Sequence, residues 1–453
     1  MNPLVVIGGG PAGEAAARAA RARKANVVLV ERENVGGLCL NRGCIPSKTL
    51  LSFGKKIHGL KHSPILRDAP FPRPEELRRE FWNGMKKEKD AVVSGLRGSL
   101  EKALKAAGVE VIHGEARFES PNELSVASRG GTRRVPFSKA VLAPGSAPIF
   151  PPPLDENRRL LLSSDEILEL PELPEKFIVL GGGAVGCEFA CLLEALGCRV
   201  TLIEKTPQLL PEEDAQVAAA LRRSFDGRGI RILTSVTVTE LKGKAGSLAV
   251  ALSDGTELEA GAMLVSAGRR PDLESLDLAS GNVAAGPKGI RVDETLRTSN
   301  PDVYAAGDAT GLSLLAHAGS AQGELAADNA LGGSRRYDGS RVPRCLYTWP
   351  EVASVGLGSD EARGKGFEVK AQRFFFQASG RALAEGSPEG FIQIVSDVPS
   401  DRVLGAQIIG AQATEIVHVI AVALQGGLTR RDLRSVIFAH PSFAEGIRGA
   451  LER

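Results

Sequence analysis

The chain has 453 residues, room for about three domains that each bury a core of their own. Hydrophobic residues make up 43%, an ordinary globular share, and 56 Lys plus Arg stand against 54 Asp plus Glu, so neither nucleic acid nor an anionic membrane surface is indicated as a partner. No apolar run is long enough to span a bilayer, and with the first strand beginning within a few residues of Met1 no signal peptide is expected.

Leu4-Val5-Val6-Ile7 reads as a buried strand. Gly8-Gly9-Gly10-Pro11-Ala12-Gly13 follows, then an Ala-rich helix, then the strand Val27-Val28-Leu29-Val30 ending at Glu31. This is a dinucleotide fingerprint in its proper setting. Gly8, Gly10 and Gly13 allow a tight turn and close approach of the backbone to a pyrophosphate at the helix N-terminus, and Glu31 can accept from ribose hydroxyls.

Next comes Gly36-Gly37-Leu38-Cys39-Leu40-Asn41-Arg42-Gly43-Cys44-Ile45-Pro46-Ser47-Lys48. It reads as a loop with two cysteines five positions apart, followed at once by a helix with Pro46 in its first turn. A loop this small can let two sulfurs meet, and a helix N-terminus favours a thiolate at Cys44. A redox-active disulfide is the leading reading. Two small buried residues or two metal ligands are the alternatives, although no nearby histidine completes a tetrahedral site, and no metal is expected. Six cysteines with one motif-bound pair suit a reducing compartment, so a cytoplasmic protein is expected.

A loop is expected over Pro64 to Pro74 and a long charged helical stretch over roughly residues 74–107. Ala143-Pro144-Gly145-Ser146-Ala147-Pro148 and Pro151-Pro152-Pro153 mark a crossing between domains. The fingerprint then recurs. Phe177-Ile178-Val179-Leu180 leads into Gly181, Gly183 and Gly186, and Arg199 to Ile203 ends at Glu204. Gly181 stands as far ahead of Glu204 as Gly8 stands ahead of Glu31. Two matched units argue for two dinucleotide sites: the first, beside the cysteines, for a flavin, and the second for a nicotinamide nucleotide. Phe391 to Val395 and Leu404 to Ile409 read as strands of a last α/β domain.

With Ala267-Gly268-Arg269-Arg270-Pro271, Val303 to Asp308, Leu315-Ala316-His317, Tyr347 to Glu351 and His440-Pro441, these motifs run the length of the chain in one order. The chain resembles the pyridine nucleotide-disulfide oxidoreductase family, and within it the dihydrolipoamide dehydrogenase branch. The resemblance implies an α/β fold with two Rossmann-like domains, for FAD and NAD, and a C-terminal α/β dimerisation domain. The implied boundaries are 1–148 for the first part of the FAD domain, 149–268 for the NAD domain, 269–339 for an FAD-side segment and 340–453 for the interface domain of a homodimer. It implies oxidation of a dihydrolipoyl group, carried on a lipoylated protein or domain, with NAD as acceptor.

By resemblance, Cys39 exchanges with the substrate disulfide and Cys44 lies against the flavin as a charge-transfer thiolate. Lys48 lies near the flavin and pairs with Glu188, which is otherwise an ordinary acid near a helix start. Asp308 and Ala316 belong to the flavin site, and Glu204 and Gly268 to the nucleotide side. His440 is the acid–base, contributed by the partner subunit, with Glu445 fixing its tautomer. Ser442 to Glu445 is also a capping-box pattern, so Glu445 has a structural reading as well.

Pro144, Phe438, Trp349 and Ala184 depart from the family's usual Thr, His, His and larger residue. These departures bear on the substrate channel and on which carrier is served. Cys187, Cys191 and Cys198 read as small buried thiols, Cys345 has no assigned role, and the other histidines read as structural or solvated. Among rivals, a glutathione-reductase-like enzyme would use NADPH, which Glu204 opposes and neighbouring Lys205 partly excuses. Mercuric reductase would need a C-terminal cysteine pair, which is absent. A flavoprotein that only docks a multienzyme complex fits poorly with an intact set of reactive residues, and a dehydrogenase for a specialised lipoyl carrier remains open.

Overall fold

The structure is a computed structural model that describes residues 2–63 and 70–452. Its contacts divide it into two compact units. One holds residues 1–49, 85–149 and 268–339; the other holds 50–84, 150–267 and 340–453.

The first unit is built on a five-stranded parallel sheet in the order Val303–Ala305, Lys139–Leu142, Leu4–Ile7, Val27–Glu31, Glu110–His113. The fingerprint strands are buried at every position, and apolar at all but the closing Glu31, because both faces of the sheet are covered. Leu4, Val6, Val27 and Leu29 pack with Ala12, Ala16, Ala326 and other helix residues. Val5, Ile7, Val28 and Val30 pack with Phe118, Leu124, Val126 and Val135 of a three-stranded antiparallel sheet. The helices Pro11–Ala22 and Ala316–Ala330 meet through small residues. A Cβ on Gly323 would lie 1.9 Å from the Ala12 carbonyl oxygen, so no larger residue fits there.

In the second unit the repeat forms a four-stranded parallel sheet, Arg231–Thr234, Arg199–Glu204, Lys176–Leu180, Ala262–Val265. The C-terminal part is a five-stranded antiparallel sheet, Arg344–Leu346, Glu351–Gly356, Val403–Gly410, Phe391–Asp397, Val369–Phe375. Helices Ala413–Gly426 and Gly446–Leu451 bury Ile416, Val417, Ile420 and Ile447 against it. The strands expected from Phe391 and from Leu404 are both present.

Two local expectations change. The long helix has a π-helical turn at Leu77–Phe81 ahead of the regular helix Trp82–Ala106. The cysteine loop contains a helical turn, Gly37–Asn41, because the Asn41 amide reaches back to the Gly37 carbonyl at 2.8 Å and the Val35 carbonyl at 3.0 Å. Most of the loop expected across Pro64 to Pro74 lies outside the described residues. Among the described residues no helix is long and apolar enough to cross a membrane.

Candidate active site

The two fingerprints close in the same way. Glu31 is buried, and its Oε2 accepts from the Gly9 N–H at 2.6 Å while Oε1 accepts from the Glu33 N–H at 2.7 Å. Glu204 is buried too; its Oε2 accepts from the Gly182 N–H at 2.7 Å, and Oε1 accepts from the Thr206 N–H at 2.8 Å. Each acid therefore ties the end of its second strand to the glycine turn, and each keeps oxygen lone pairs for a ribose. Gly8 and Gly181 turn with φ of +93° and +104°, where a side chain would be strained.

The turns fit dinucleotides. Gly10 and Gly183 head the helices Pro11–Ala22 and Ala184–Ala195, and no side chain caps either one. The first-turn N–H groups are thus left for an anion. No heavy atom lies within 4 Å of a Cβ built on Gly183, and only Gly37 Cα, at 3.8 Å, approaches one built on Gly10. Packing explains Gly13 and Gly186, whose Cβ atoms would sit 1.7 and 1.8 Å from the Gly8 and Gly181 carbonyl oxygens.

Asp308 lies in the turn Gly307–Thr310, just ahead of the helix begun by Ala316. It accepts from Ser146 Oγ at 2.5 Å, and Arg269 donates to the Ser146 hydroxyl at 2.9 Å and to its carbonyl at 2.7 Å. Ser146 and Arg269 were not singled out from the sequence, although both stand inside quoted motifs. Gly268, with φ +110°, precedes Arg269.

Cys39 lies in the turn Gly37–Asn41, and Cys44 is the first residue of the helix Cys44–Lys61. Both are half-buried. The side-chain hydrogen bond to Cys44, together with burial, pushes the Cys39 thiol well above its ordinary range, against a smaller lowering by the Lys48 ammonium. Lys48 is half-buried, one turn along from Cys44 on the same helix.

Glu188 is 4% exposed on the helix Ala184–Ala195, and its Oε1 accepts from the Tyr347 N–H at 2.9 Å. Ala184 begins that helix and is exposed. Cys187, Cys191 and Cys198 are buried thiols, and burial pushes all three up, Cys198 to about 12. His113, His317 and His418 are exposed.

His440 is 80% exposed, with Nδ1 at 2.9 Å from Glu445 Oε2. A carboxylate only accepts, so Nδ1 carries the hydrogen and Nε2 is left to exchange a proton. Glu445 Oε1 also accepts from the Ser442 N–H at 3.3 Å, and Ser442 Oγ accepts from the Glu445 N–H at 3.3 Å, which closes the turn ahead of the helix Gly446–Leu451. Ile437, three residues earlier, is 95% exposed, and Phe438 packs partly into the core.

The model of the pyridine nucleotide-disulphide oxidoreductase family matches residues 2–323, and that of the family's dimerisation domain matches residues 342–451. The dihydrolipoyl dehydrogenase of Thermus scotoductus is 37% identical over 460 residues, covering 99% of this chain and 96% of that protein. LpdA from Mycobacterium tuberculosis superposes with a TM-score of 0.92 at 26% identity, over 100% of this chain and 99% of that one. The HOCl-induced flavoprotein disulfide reductase RclA from Escherichia coli superposes with a TM-score of 0.86 at 26% identity, over 99% of each chain.

Proposed function

The chain belongs to the pyridine nucleotide-disulphide oxidoreductase family, and we propose that within it this flavoprotein is a dihydrolipoyl dehydrogenase with FAD and NAD as its cofactors. The reaction converts a protein-bound dihydrolipoyl dithiol and NAD⁺ into the lipoyl disulfide, NADH and a proton. The observation that carries the reading is the Cys39–Cys44 pair at the head of a helix, in a chain whose full length matches a dihydrolipoyl dehydrogenase at 37% identity. FAD, when bound, supplies the two-electron relay between the cysteine pair and the nicotinamide.

The first FAD-domain part (1–148) and the segment 269–339 would hold FAD through Gly8, Gly10, Gly13, Glu31, Asp308 and Ala316. The NAD domain (149–268) would hold NAD through Gly181, Gly183, Gly186, Glu204 and Gly268. The uncapped helix starts at Gly10 and Gly183 favour the two pyrophosphates. Residues 340–453 would form the dimer interface, which the match to the family's dimerisation domain supports.

In the oxidised enzyme a substrate thiolate attacks Cys39 Sγ, the Cys39–Cys44 bond breaks, and Cys44 leaves as the thiolate. The second substrate thiolate then closes the lipoyl disulfide and releases Cys39, which is reprotonated. His440 Nε2 takes the substrate thiol protons, Glu445 holds Nδ1–H, and in the dimer His440 serves the cysteine pair of the other copy. Lys48 favours negative charge near Cys44, and Glu188 is a carboxylate on the nucleotide side.

Initial rates with two substrate pairs test the reading. The holoprotein should form NADH from dihydrolipoamide and NAD⁺, and should leave glutathione disulfide with NADPH nearly untouched. The reverse pattern would replace it with a glutathione-reductase-like activity.

A further inference from the structure

Arg228 follows the helix Ala215–Gly227 as its C-cap, yet its side chain is only 8% exposed. Its guanidinium holds four acceptors. Nε donates to Glu194 Oε2 at 3.0 Å, Nη1 to the Trp349 carbonyl at 2.9 Å and to Cys191 Sγ at 3.3 Å, and Nη2 to the Cys191 carbonyl at 3.3 Å. It also lies over the Trp349 ring, 5.1 Å from its centre. Trp349 is 6% exposed, and its Nε1 has no hydrogen-bond partner. Its ring rests on Gly54, where a Cβ would come within 3.1 Å of Trp349 and 2.8 Å of Leu192. Arg228 thus holds Trp349 from both its carbonyl and its ring face.

Trp349 sits in the turn that begins at Tyr347, whose N–H donates to Glu188 Oε1 at 2.9 Å. The turn is closed by Thr348 Oγ1 on the Pro350 carbonyl at 2.6 Å. Beyond it, Glu351 accepts from Lys55 Nζ at 2.7 Å and from Thr414 Oγ1 at 2.9 Å. Glu188, Cys191 and Glu194 follow one another at three-residue steps on the helix Ala184–Ala195, and so share one side of it. Arg228 thus joins the helix side that carries Glu188 to the turn that orients the Glu188 carboxylate.

We infer that Arg228 is a positioning residue for the nucleotide side of the site: it fixes the Trp349 turn against the Cys191–Glu194 stretch, and through the Tyr347 N–H it sets Glu188. The inference rests on the nucleotide-side role proposed for Glu188. Lysine cannot replace it, because one ammonium matches the charge of Glu194 but not the planar fork that reaches Trp349 as well.

The test uses the holoenzyme and rapid mixing, with flavin absorbance read during reduction by NADH and, separately, by dihydrolipoamide. Two variants are compared: Arg228→Lys, and the double variant Arg228→Met with Glu194→Leu, which avoids leaving a buried carboxylate without a partner. Reduction by NADH should slow by at least about tenfold in both, while reduction by dihydrolipoamide stays within about twofold and flavin content is unchanged. In a Glu188→Gln background, Arg228→Lys should cost nothing further, because the two act in series. The inference is overturned if both half-reactions fall together, if neither changes, if both variants lose flavin, or if the Arg228 and Glu188 effects add. Failure of the dihydrolipoyl reading would show separately, as wild-type flavin that dihydrolipoamide does not reduce while NADH does.

Discussion

Glu445 joins His440 to the turn ahead of the last helix with a single carboxylate: Oε2 lies 2.9 Å from His440 Nδ1, and Oε1 accepts from the Ser442 N–H at 3.3 Å. The five-residue step between them brings the acid back to the ring's Nδ1, so the imidazole tautomer and the turn at Ser442 are fixed by one group. His440→Gln should lower turnover of dihydrolipoamide by about 10²- to 10⁴-fold, the usual cost of removing a general base. NADH oxidation by artificial acceptors should persist, since it bypasses the dithiol. Glu445→Gln keeps an acceptor for Ser442 but weakens the hold on Nδ1–H, so it should cause a smaller loss. Wild-type turnover in Glu445→Gln would leave only the structural bond to Ser442.

The Cys39 thiol is pushed up by its hydrogen bond to Cys44 and then by burial, and the proposed roles put the flavin-facing thiolate on Cys44. Cys39→Ser and Cys44→Ser should both abolish dihydrolipoamide oxidation. Only Cys39→Ser should keep a long-wavelength absorption band in the holoprotein at neutral pH. The opposite optical result would reverse the two roles.

Glu204 is buried and fixed by Gly182 and Thr206, so its carboxylate cannot swing aside for a 2′-phosphate. Catalytic efficiency should therefore favour NAD over NADP, and Glu204→Gln should narrow the gap. Comparable efficiencies with both nucleotides in the wild type would contradict this.

His58 Nδ1 is buried without a hydrogen-bond partner, 3.9 Å from Glu194, a carboxylate already engaged by Arg228 and Lys61. Burial first, then the charges of Arg228, His62 and Lys61, push its imidazole down to about 3. The unfolded chain takes up this proton near its ordinary value of about 6.5, and the folded chain refuses it. The protein should therefore lose stability as pH falls from about 6.5 towards 3. His58→Leu should flatten that loss in urea-midpoint measurements against pH. Equal slopes for the two proteins would count against it.

The two nucleotide-binding halves were legible because a strand, a glycine turn and an acid at the next strand's end are all local. The His440–Glu445 contact was legible for the same reason, and its two readings could not be separated because the one carboxylate meets both His440 and Ser442. Arg228 was not legible. A lone arginine before a glycine reads as a helix end, and its partners Cys191 and Trp349 stand 37 and 121 residues away. The Ser146 contact to Asp308, across 162 residues, was hidden likewise. The strand Val369–Phe375 escaped notice because Lys370, Gln372 and Arg373 break any apolar run, although Gln372 is buried.

Mixed dimers test most directly the central claim, a dithiol site made from Cys39 and Cys44 of one chain and His440 of the other. Cys39→Ser and His440→Gln chains carrying different tags are refolded together, and the hybrid is isolated and assayed with dihydrolipoamide and NAD⁺. With the site shared between chains, one site of the hybrid loses both groups and the other keeps both, so each hybrid should show about half the wild-type activity while each parent homodimer is nearly inactive. Inactive hybrids, with both parents dimeric and loaded with flavin, would contradict the account.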